Sequence, residues 1–475
     1  MFQYIRLCTS LLLCLWMSLP VSAQSLADKI AKAFNHFETD THMTYGIASL
    51  TVLDANTGEI IFSKHGDKGM ATASTMKTIT SSTVFNILGA DFRYETRLQY
   101  TGHIDQAGVL HGDLLIRGAG DPTLGSPRYE QSRADVLLKR WVRAIHEAGI
   151  RKVTGCVIGD DLLWSGQRVP SGWTWGDMGN YYGAGVSALN WRENAFKILL
   201  QPAAQPGAPV KFSGTKPDRA YLKFNNEVLT GPKGSGDQVY GYAAPYSNQI
   251  LIAGTYGLDL KKEIELSSPD PAFDVALALQ TALERDSVEV QTPASTGYLL
   301  QQSGVQLEKE RETIDVYYSP TLSEICHWFN RASINLYGEA LLKTAAMRSG
   351  KSTQTEDAAY FETEYWAKQL DLDRGSLRIR DGSGLSPENR VTTLSMARIL
   401  NAAKSKPWFG AFYEGLPTYN HMKMKSGTIA GVLGYAGYQT HSSGRPLVFS
   451  FLINNYQGGA SAMRQRMFRM LDVLK

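Results

Sequence analysis

Ala73-Ser74-Thr75-Met76-Lys77-Thr78-Ile79-Thr80-Ser81-Ser82-Thr83-Val84-Phe85-Asn86-Ile87-Leu88-Gly89 opens with a serine and a lysine three positions apart. If Met76 to Leu88 is helical, those two side chains share a face, about 5–6 Å apart at Cβ. An amine at that distance can take a hydroxyl proton, which an otherwise weak serine nucleophile needs. The polar positions are mostly Thr and Ser and almost no charge is present, which predicts a helix buried inside a domain and stopped by Gly89. A nucleophile at the start of such a helix gains from its dipole and free N–H groups. Chance supplies Ser-x-x-Lys about twice in a chain this long, and a second copy exists at Ser213-Gly214-Thr215-Lys216. Gly214 and Pro217 argue against a helix there. The standing of Ser74 therefore depends on the residues around it.

The chain has 475 residues, too many for one core, so two or three domains are expected. A hydrophobic content of 43% and a net charge of +3 without basic runs describe a soluble globular protein and give no sign of a nucleic-acid partner. The 44 glycines, 23 tyrosines and nine tryptophans suggest a loop-rich, partly β protein with grooves for a polar polymer. Residues 1–23 read as a secretory signal: Arg6, an apolar run from Leu7 to Leu19, then Val21-Ser22-Ala23 before Gln24. The apolar run is short for a membrane span. A cleaved, exported, periplasmic protein without a stable membrane anchor is expected. The remaining cysteines, Cys156 and Cys326, are read as buried free thiols. No histidine or cysteine cluster has metal spacing, so no metal site and no cofactor is expected.

Residues 45–64 read as a β-hairpin around Asp54-Ala55-Asn56-Thr57-Gly58. Near the end, Thr428 to Tyr438 and Leu447 to Asn454 read as two β runs, followed by an amphipathic helix from Ser461 to Leu474. The first hairpin and the last strands can share one antiparallel sheet under that helix. Between them lie strand-like runs (Arg93 to Tyr100, Leu110 to Arg117) and two helix-then-strand units, Ala134 to Val157 and Ala272 to Val290. Asn194 to Pro269, rich in Gly, Pro, Asn and Tyr, reads as short alternating strands. The fold expected is a multidomain α/β protein in which a discontinuous domain (24–90 and 305–475) is interrupted by an α/β module (91–191 and 266–304). That module in turn holds a nested β-rich module (192–265).

Two further short motifs follow Ser74. Ser333-Ile334-Asn335 stands just before a helical pattern, and Lys425-Ser426-Gly427-Thr428 opens a β run, where glycine lets a backbone approach a ligand. Alone, Ser-x-Asn reads as a helix cap and Lys-Ser-Gly as a strand entry. The three in this order form the motif set of serine β-lactamases and penicillin-binding proteins. With Gly120-Asp121-Pro122-Thr123-Leu124, Gly159-Asp160-Asp161, Ser333 to Ala340 and Asp381-Gly382-Ser383-Gly384-Leu385-Ser386, the chain resembles the low-molecular-mass class C (type-4) penicillin-binding proteins, D-alanyl-D-alanine carboxypeptidase/endopeptidases. More than half the chain lies between Ser74 and Ser333, room that a single-domain β-lactamase lacks.

The resemblance implies a β-lactamase/transpeptidase-like domain, an antiparallel sheet flanked by helices, acting on peptidoglycan peptides and inhibited by β-lactams. It implies Ser74 as nucleophile, Lys77 as general base and Ser333 as proton relay to the leaving amine. Asn335 would hold the substrate amide, and Lys425 would set the electrostatics of the site. The N–H groups of Ser74 and Thr428 would form the oxyanion hole, with Ser426, Gly427 and the Thr428 hydroxyl at the terminal carboxylate. Asp177, in Gly172-Trp173-Thr174-Trp175-Gly176-Asp177-Met178, aligns with a family aspartate that meets a substrate amine. Thr72, Ile334 and Pro387 depart from the family's frequent proline, aspartate and arginine. A serine β-lactamase is the alternative, but Leu189-Asn190 follows Val186 rather than the glutamate of Glu-x-x-Leu-Asn. A catalytically weak wall-binding protein is disfavoured by intact Ser74, Lys77, Ser333 and Lys425. A Gly-x-Ser-x-Gly esterase lacks its spacing at Asp381 to Gly384.

Overall fold

The computed structural model describes residues 25–475, so the signal segment expected at 1–23 lies outside the described residues. The first hairpin forms where the sequence places it, as Ile47–Asp54 and Ile60–Lys64. Its turn is closed by the Asp54 carboxylate, which accepts from the N–H groups of Asn56 at 2.8 Å and Thr57 at 3.2 Å, while Gly58 takes φ 78°.

That hairpin joins the C-terminal strands in one six-stranded antiparallel sheet, ordered Ile60–Lys64, Ile47–Asp54, Pro446–Asn454, Val432–Thr440, Met422–Ile429, Thr418–Tyr419. The β run expected from Thr428 to Tyr438 is two strands, because Ala430 and Gly431 (φ 69°) turn the chain back on itself. Period-two alternation sends Leu50 and Val52 to one face, where Leu26–Glu38 and Ala460–Leu471 cover them with Ile30, Phe34, Met463 and Met467. Ser49 and Thr51 point to the other face and bond the Thr393 hydroxyl at 2.7 and 3.0 Å, at the start of the helix Thr393–Ala403.

The same inner face carries the helix Lys77–Leu88, whose residues from Lys77 through Phe85 are all buried. Its hydroxyls are tolerated there because they are satisfied locally or by neighbours. Ser82 and Thr83 donate back to the carbonyls of Thr78 and Ile79, and Thr80 donates to the Gly382 carbonyl at 2.8 Å. Ser74 itself lies one turn earlier, in a 3₁₀ segment Ala73–Met76, so the serine–lysine spacing survives a tightened first turn. The second Ser-x-x-Lys lies in the strand Lys211–Lys216, where Ser213 and Lys216 cannot share a helical face.

Residues beyond Leu88 build a five-stranded sheet, ordered Ser295–Thr296, Val157–Asp160, Leu114–Arg117, Glu95–Tyr100, Glu312–Tyr318, and a four-stranded sheet beside it. The run expected from Leu110 to Arg117 is split between these sheets: Val109–His111 belongs to one and Leu114–Arg117 to the other. A Cβ on Gly112 would fall 2.0 Å from the Thr101 carbonyl oxygen, so the chain must pass close to its neighbour at the break. Glu312–Tyr318, grouped by sequence with the resumed domain at 305, pairs instead with Glu95–Tyr100. Its exposed, charged first half hides that partner in the sequence. The helices Ala134–Glu147 and Pro271–Arg285 pack through Leu137, Trp141, Val275 and Leu279. Residues 195–267 form two three-stranded sheets around Ile198, Ile252 and Leu266, and the pair Lys223–Gly231 with Gln249–Gly257 is parallel.

Candidate active site

The turn holding Ser74 sits against the strand Met422–Ile429, and glycine is what lets it. A Cβ on Gly427 would stand 2.7 Å from the Thr72 carbonyl oxygen and 2.9 Å from the Ser74 nitrogen. The approach that sequence reading assigned to a ligand is thus made first by the protein's own nucleophile turn. Gly384 (φ 82°) abuts the other side, where a Cβ would collide with the Ala73 carbonyl. Ala73 itself takes φ 44°.

Lys77 is fully buried, with its ammonium nitrogen 3.0 Å from Ser74 Oγ, 2.6 Å from Asn335 Oδ1 and 2.7 Å from the Ser383 carbonyl oxygen. Asn335 begins the helix Asn335–Arg348, and its Nδ2 donates to the Tyr182 carbonyl at 2.8 Å. One partner needs an acceptor and the other a donor, so the amide's orientation is fixed by chemistry. Ser333, in the left-handed region at φ 58°, is in the loop before that helix and is not among the partners of Lys77.

Lys425 is also withdrawn from water and donates to the Ser426 carbonyl at 2.8 Å. Burial pulls the Lys77 amine down to about 7, against the opposing pull of Asp381 and Glu339. Burial, with the charge of Lys77 second, pulls Lys425 well below the ordinary lysine range. Beyond Lys423 the outer edge of the strand Met422–Ile429 has no neighbouring strand among the described residues.

Two residues that sequence reading leaves without a role hold the Ser383 carbonyl in place. Glu339, fully enclosed, accepts from the N–H groups of Gly382 at 3.2 Å and Ser383 at 3.0 Å. Burial, followed by the charge of Asp381, raises its carboxyl. Asp381 accepts from Gly384 N (2.7 Å), Ser386 N (2.6 Å), Asn389 Nδ2 (2.8 Å) and Trp173 Nε1 (2.8 Å). Gly338 and Gly382 touch backbone to backbone, which brings helix and turn close enough for these bonds. Trp173 ties the segment carrying Asp177 to the same turn. Asp177 lies in the short helix Trp175–Met178 and accepts from the Thr174 hydroxyl at 2.8 Å. Cys156 and Cys326 are free and buried. Among the described residues no His/Cys/Asp/Glu group has metal-binding geometry, and no helix is long and apolar enough to cross a membrane.

A helix-flanked antiparallel sheet with a serine and a buried lysine at the foot of its central helix is the layout shared by serine DD-peptidases and serine β-lactamases. The sequence profile of the D-Ala-D-Ala carboxypeptidase 3 (S13) family matches residues 30–474, and the chain belongs to that family. It is 27% identical over 450 residues to the D-alanyl-D-alanine carboxypeptidase of Actinomadura sp. (strain R39), covering 89% of this chain and 80% of that one. Identity to the D-alanyl-D-alanine carboxypeptidase DacB of Haemophilus influenzae is 24% over 430 residues, 85% and 84% of the two chains. The crystal structure of penicillin binding protein 4 (dacB) from Haemophilus influenzae superposes with a TM-score of 0.77 at 20% identity, over 93% of this chain and 98% of that one. The mixed α/β, multidomain fold class expected from the sequence is therefore the one this chain has.

Proposed function

We propose that this chain is an exported, periplasmic serine D-Ala-D-Ala carboxypeptidase that also cleaves peptide cross-links in peptidoglycan, through an acyl-enzyme on Ser74. One observation carries the reading: the three neighbours of Lys77 Nζ. Asn335 Oδ1 and the Ser383 carbonyl can only accept, so the neutral amine spends both of its N–H groups on them. Its lone pair is left for the third neighbour, the Ser74 hydroxyl at 3.0 Å. The site selects the direction of proton transfer as well as its distance.

In the reaction, Ser74 Oγ attacks the carbonyl of the penultimate D-Ala as Lys77 takes its proton. The oxyanion forms between the N–H groups of Ser74 and Thr428, each such donor contributing about 3–4 kcal/mol. The proton taken by Lys77 reaches the leaving amine through the Ser333 hydroxyl, which gives one proton and regains another, so Lys77 is neutral again when water hydrolyses the ester. The unpaired strand edge beyond Lys423 can align an extended peptide, with Ser426, Gly427 and Thr428 at its terminal carboxylate. Asp177 meets a substrate ammonium group. Asn335 has both ends of its amide engaged by Lys77 and Tyr182, so its hold on substrate is shared with theirs. β-Lactams acylate the same serine; the Haemophilus influenzae protein has been crystallised with one. In domain terms, a discontinuous peptidase domain resumes after Tyr318, and the insertion supplies the wall that bears Asp177.

Intact-mass spectrometry of the mature protein with benzylpenicillin tests this. A long-lived adduct that is absent from Ser74→Ala supports the peptidase, rapid drug turnover supports a β-lactamase, and no adduct removes Ser74 from the role.

A further inference from the structure

A cleft of about 770 Å³ opens beside the Ser333–Asn335 loop and runs between the inserted modules. Residues 425–429 do not line it, so it leads away from the end where the terminal carboxylate sits. Five cations and three carboxylates face it, which leaves the cleft electropositive.

Four of the five cations are already matched. Arg128 is 2.9 Å from Glu193 and Arg133 is 3.1 Å from Asp135. Lys197 and Lys216 share Glu263 at 2.7 and 3.1 Å. Arg192 is the exception: among the described residues its guanidinium has no carboxylate within ion-pair distance, and it rests 5.9 Å from the Trp191 ring. The buried Arg219 behind it is paired with Asp274; burial first, with the charge of Arg192 a lesser cause, pulls that guanidinium down. Arg192 is therefore a half-buried guanidinium without a carboxylate, a charge that an arriving anion can satisfy.

The backbone fixes Arg192 firmly. Arg192, Glu193 and Asn194 are three successive non-glycine residues with φ of 55°, 55° and 50°. Asn194 locks the run from within, accepting from Trp191 N at 2.9 Å and donating to the Gly185 carbonyl at 2.8 Å. Glu193 accepts from Ser126 at 2.7 Å and from the Tyr337 hydroxyl at 2.9 Å. Tyr337 is on the helix that begins at Asn335, so Arg192 is registered against the helix that delivers Asn335 to Lys77. Strain of this kind persists only where the surroundings over-determine it, and it concentrates at ligand clamps.

We propose that Arg192 is a carboxylate subsite for the acyl-donor peptide, engaging a free carboxylate upstream of the scissile bond as the strand passes Asn335 into the cleft. The proposal rests on the DD-peptidase reading of Ser74. A planar guanidinium held without a partner suits a carboxylate in two-pronged fashion.

The test uses the mature protein and a set of peptides ending in D-Ala-D-Ala, in which one upstream residue is stepped along the chain as either glutamate or glutamine. At one position the glutamate peptide is expected to be preferred roughly 10- to 100-fold, mostly in KM. Arg192→Ala should erase that preference, and Arg192→Lys should keep part of it. Wild-type protein that treats glutamate and glutamine alike at every position overturns the proposal, and so does an Arg192→Ala variant that keeps the preference. Benzylpenicillin adduct formation is followed in parallel. Its absence in wild type, together with no peptide cleavage, overturns the peptidase reading itself, whereas a normal adduct without glutamate preference overturns the subsite alone.

Discussion

The Ser383 carbonyl accepts a hydrogen bond from Lys77 at 2.7 Å, joining residues that lie far apart in the chain. The carbonyl belongs to a turn whose N–H groups are held by the carboxylates of Glu339 and Asp381. Those carboxylates also favour the charged lysine, while burial favours the neutral one. Burial wins, and the amine titrates in the neutral range.

The pH dependence of acylation follows from that balance. Attack requires the neutral amine, and the Lys77 amine is held at about 7. Below that value the neutral fraction falls roughly tenfold per pH unit, and above it the rate levels off. The second-order rate of benzylpenicillin adduct formation is expected to show an acidic limb centred near neutrality. A rate flat through mildly acidic and neutral pH would remove Lys77 as the base.

Gly427→Ala tests the contact between strand and nucleophile turn. The new Cβ would stand 2.7, 2.8 and 2.9 Å from Thr72 O, Thr75 N and Ser74 N, all backbone atoms that cannot rotate away. A cost of about 1–3 kcal/mol is expected in thermal stability, with adduct formation slowed more than tenfold because Ser74 must shift. Gly410→Ala, whose Cβ meets nothing within 4 Å, should leave the rate unchanged. Equal rates in the Gly427 variant and wild type would contradict the packing argument.

Asp177→Asn keeps the size of the side chain and its bond to Thr174 while removing the charge. For peptides with a side-chain ammonium group, KM is expected to rise about tenfold with kcat little changed. Benzylpenicillin, which carries no such group, should acylate at the wild-type rate. A matching loss toward both would mean that Asp177 only supports the loop.

The large sheet is legible in the sequence because its strands alternate and its first turn carries Asp54 and Gly58. Ser74 and Lys77 are legible by their spacing together with the helical run and partner motifs around them, which the copy at Ser213 and Lys216 lacks. The breaks at Gly112 and at Ala430-Gly431 are not, because an apolar run fixes neither its register nor the sheet it joins. The helix Leu26–Glu38 escapes reading although Ile30, Phe34 and Phe37 give it a helical stripe. Glu339 and Asp381 stand within recognisable stretches, yet their work depends on a turn and a helix meeting at Gly338 and Gly382. No local pattern announces that encounter.

Asp121→Asn separates stability from catalysis. Asp121 is fully buried; one oxygen accepts from the Thr123 N–H at 2.8 Å and hydroxyl at 2.7 Å, and the other has no partner. Burial raises its carboxyl to about 6, against the bonds from Thr123. In the unfolded chain the group titrates near 3.9. Between about 4 and 6 the unfolded chain releases this proton while the folded one keeps it, so folding weakens as pH rises through that window and stays weaker above it. The full shift corresponds to roughly 3 kcal/mol. Asparagine keeps the bonds from Thr123 and cannot ionise, but it leaves a buried N–H without an acceptor, at a cost of about 1–2 kcal/mol. The variant is therefore expected to melt a few degrees above wild type at mildly alkaline pH. Below about pH 3 the wild-type carboxyl is neutral in both states, so the advantage should vanish there and leave only the amide's cost. Melting curves at the two pH values decide it: a difference that does not change with pH would mean that Asp121 is not ionised at a cost in the folded protein.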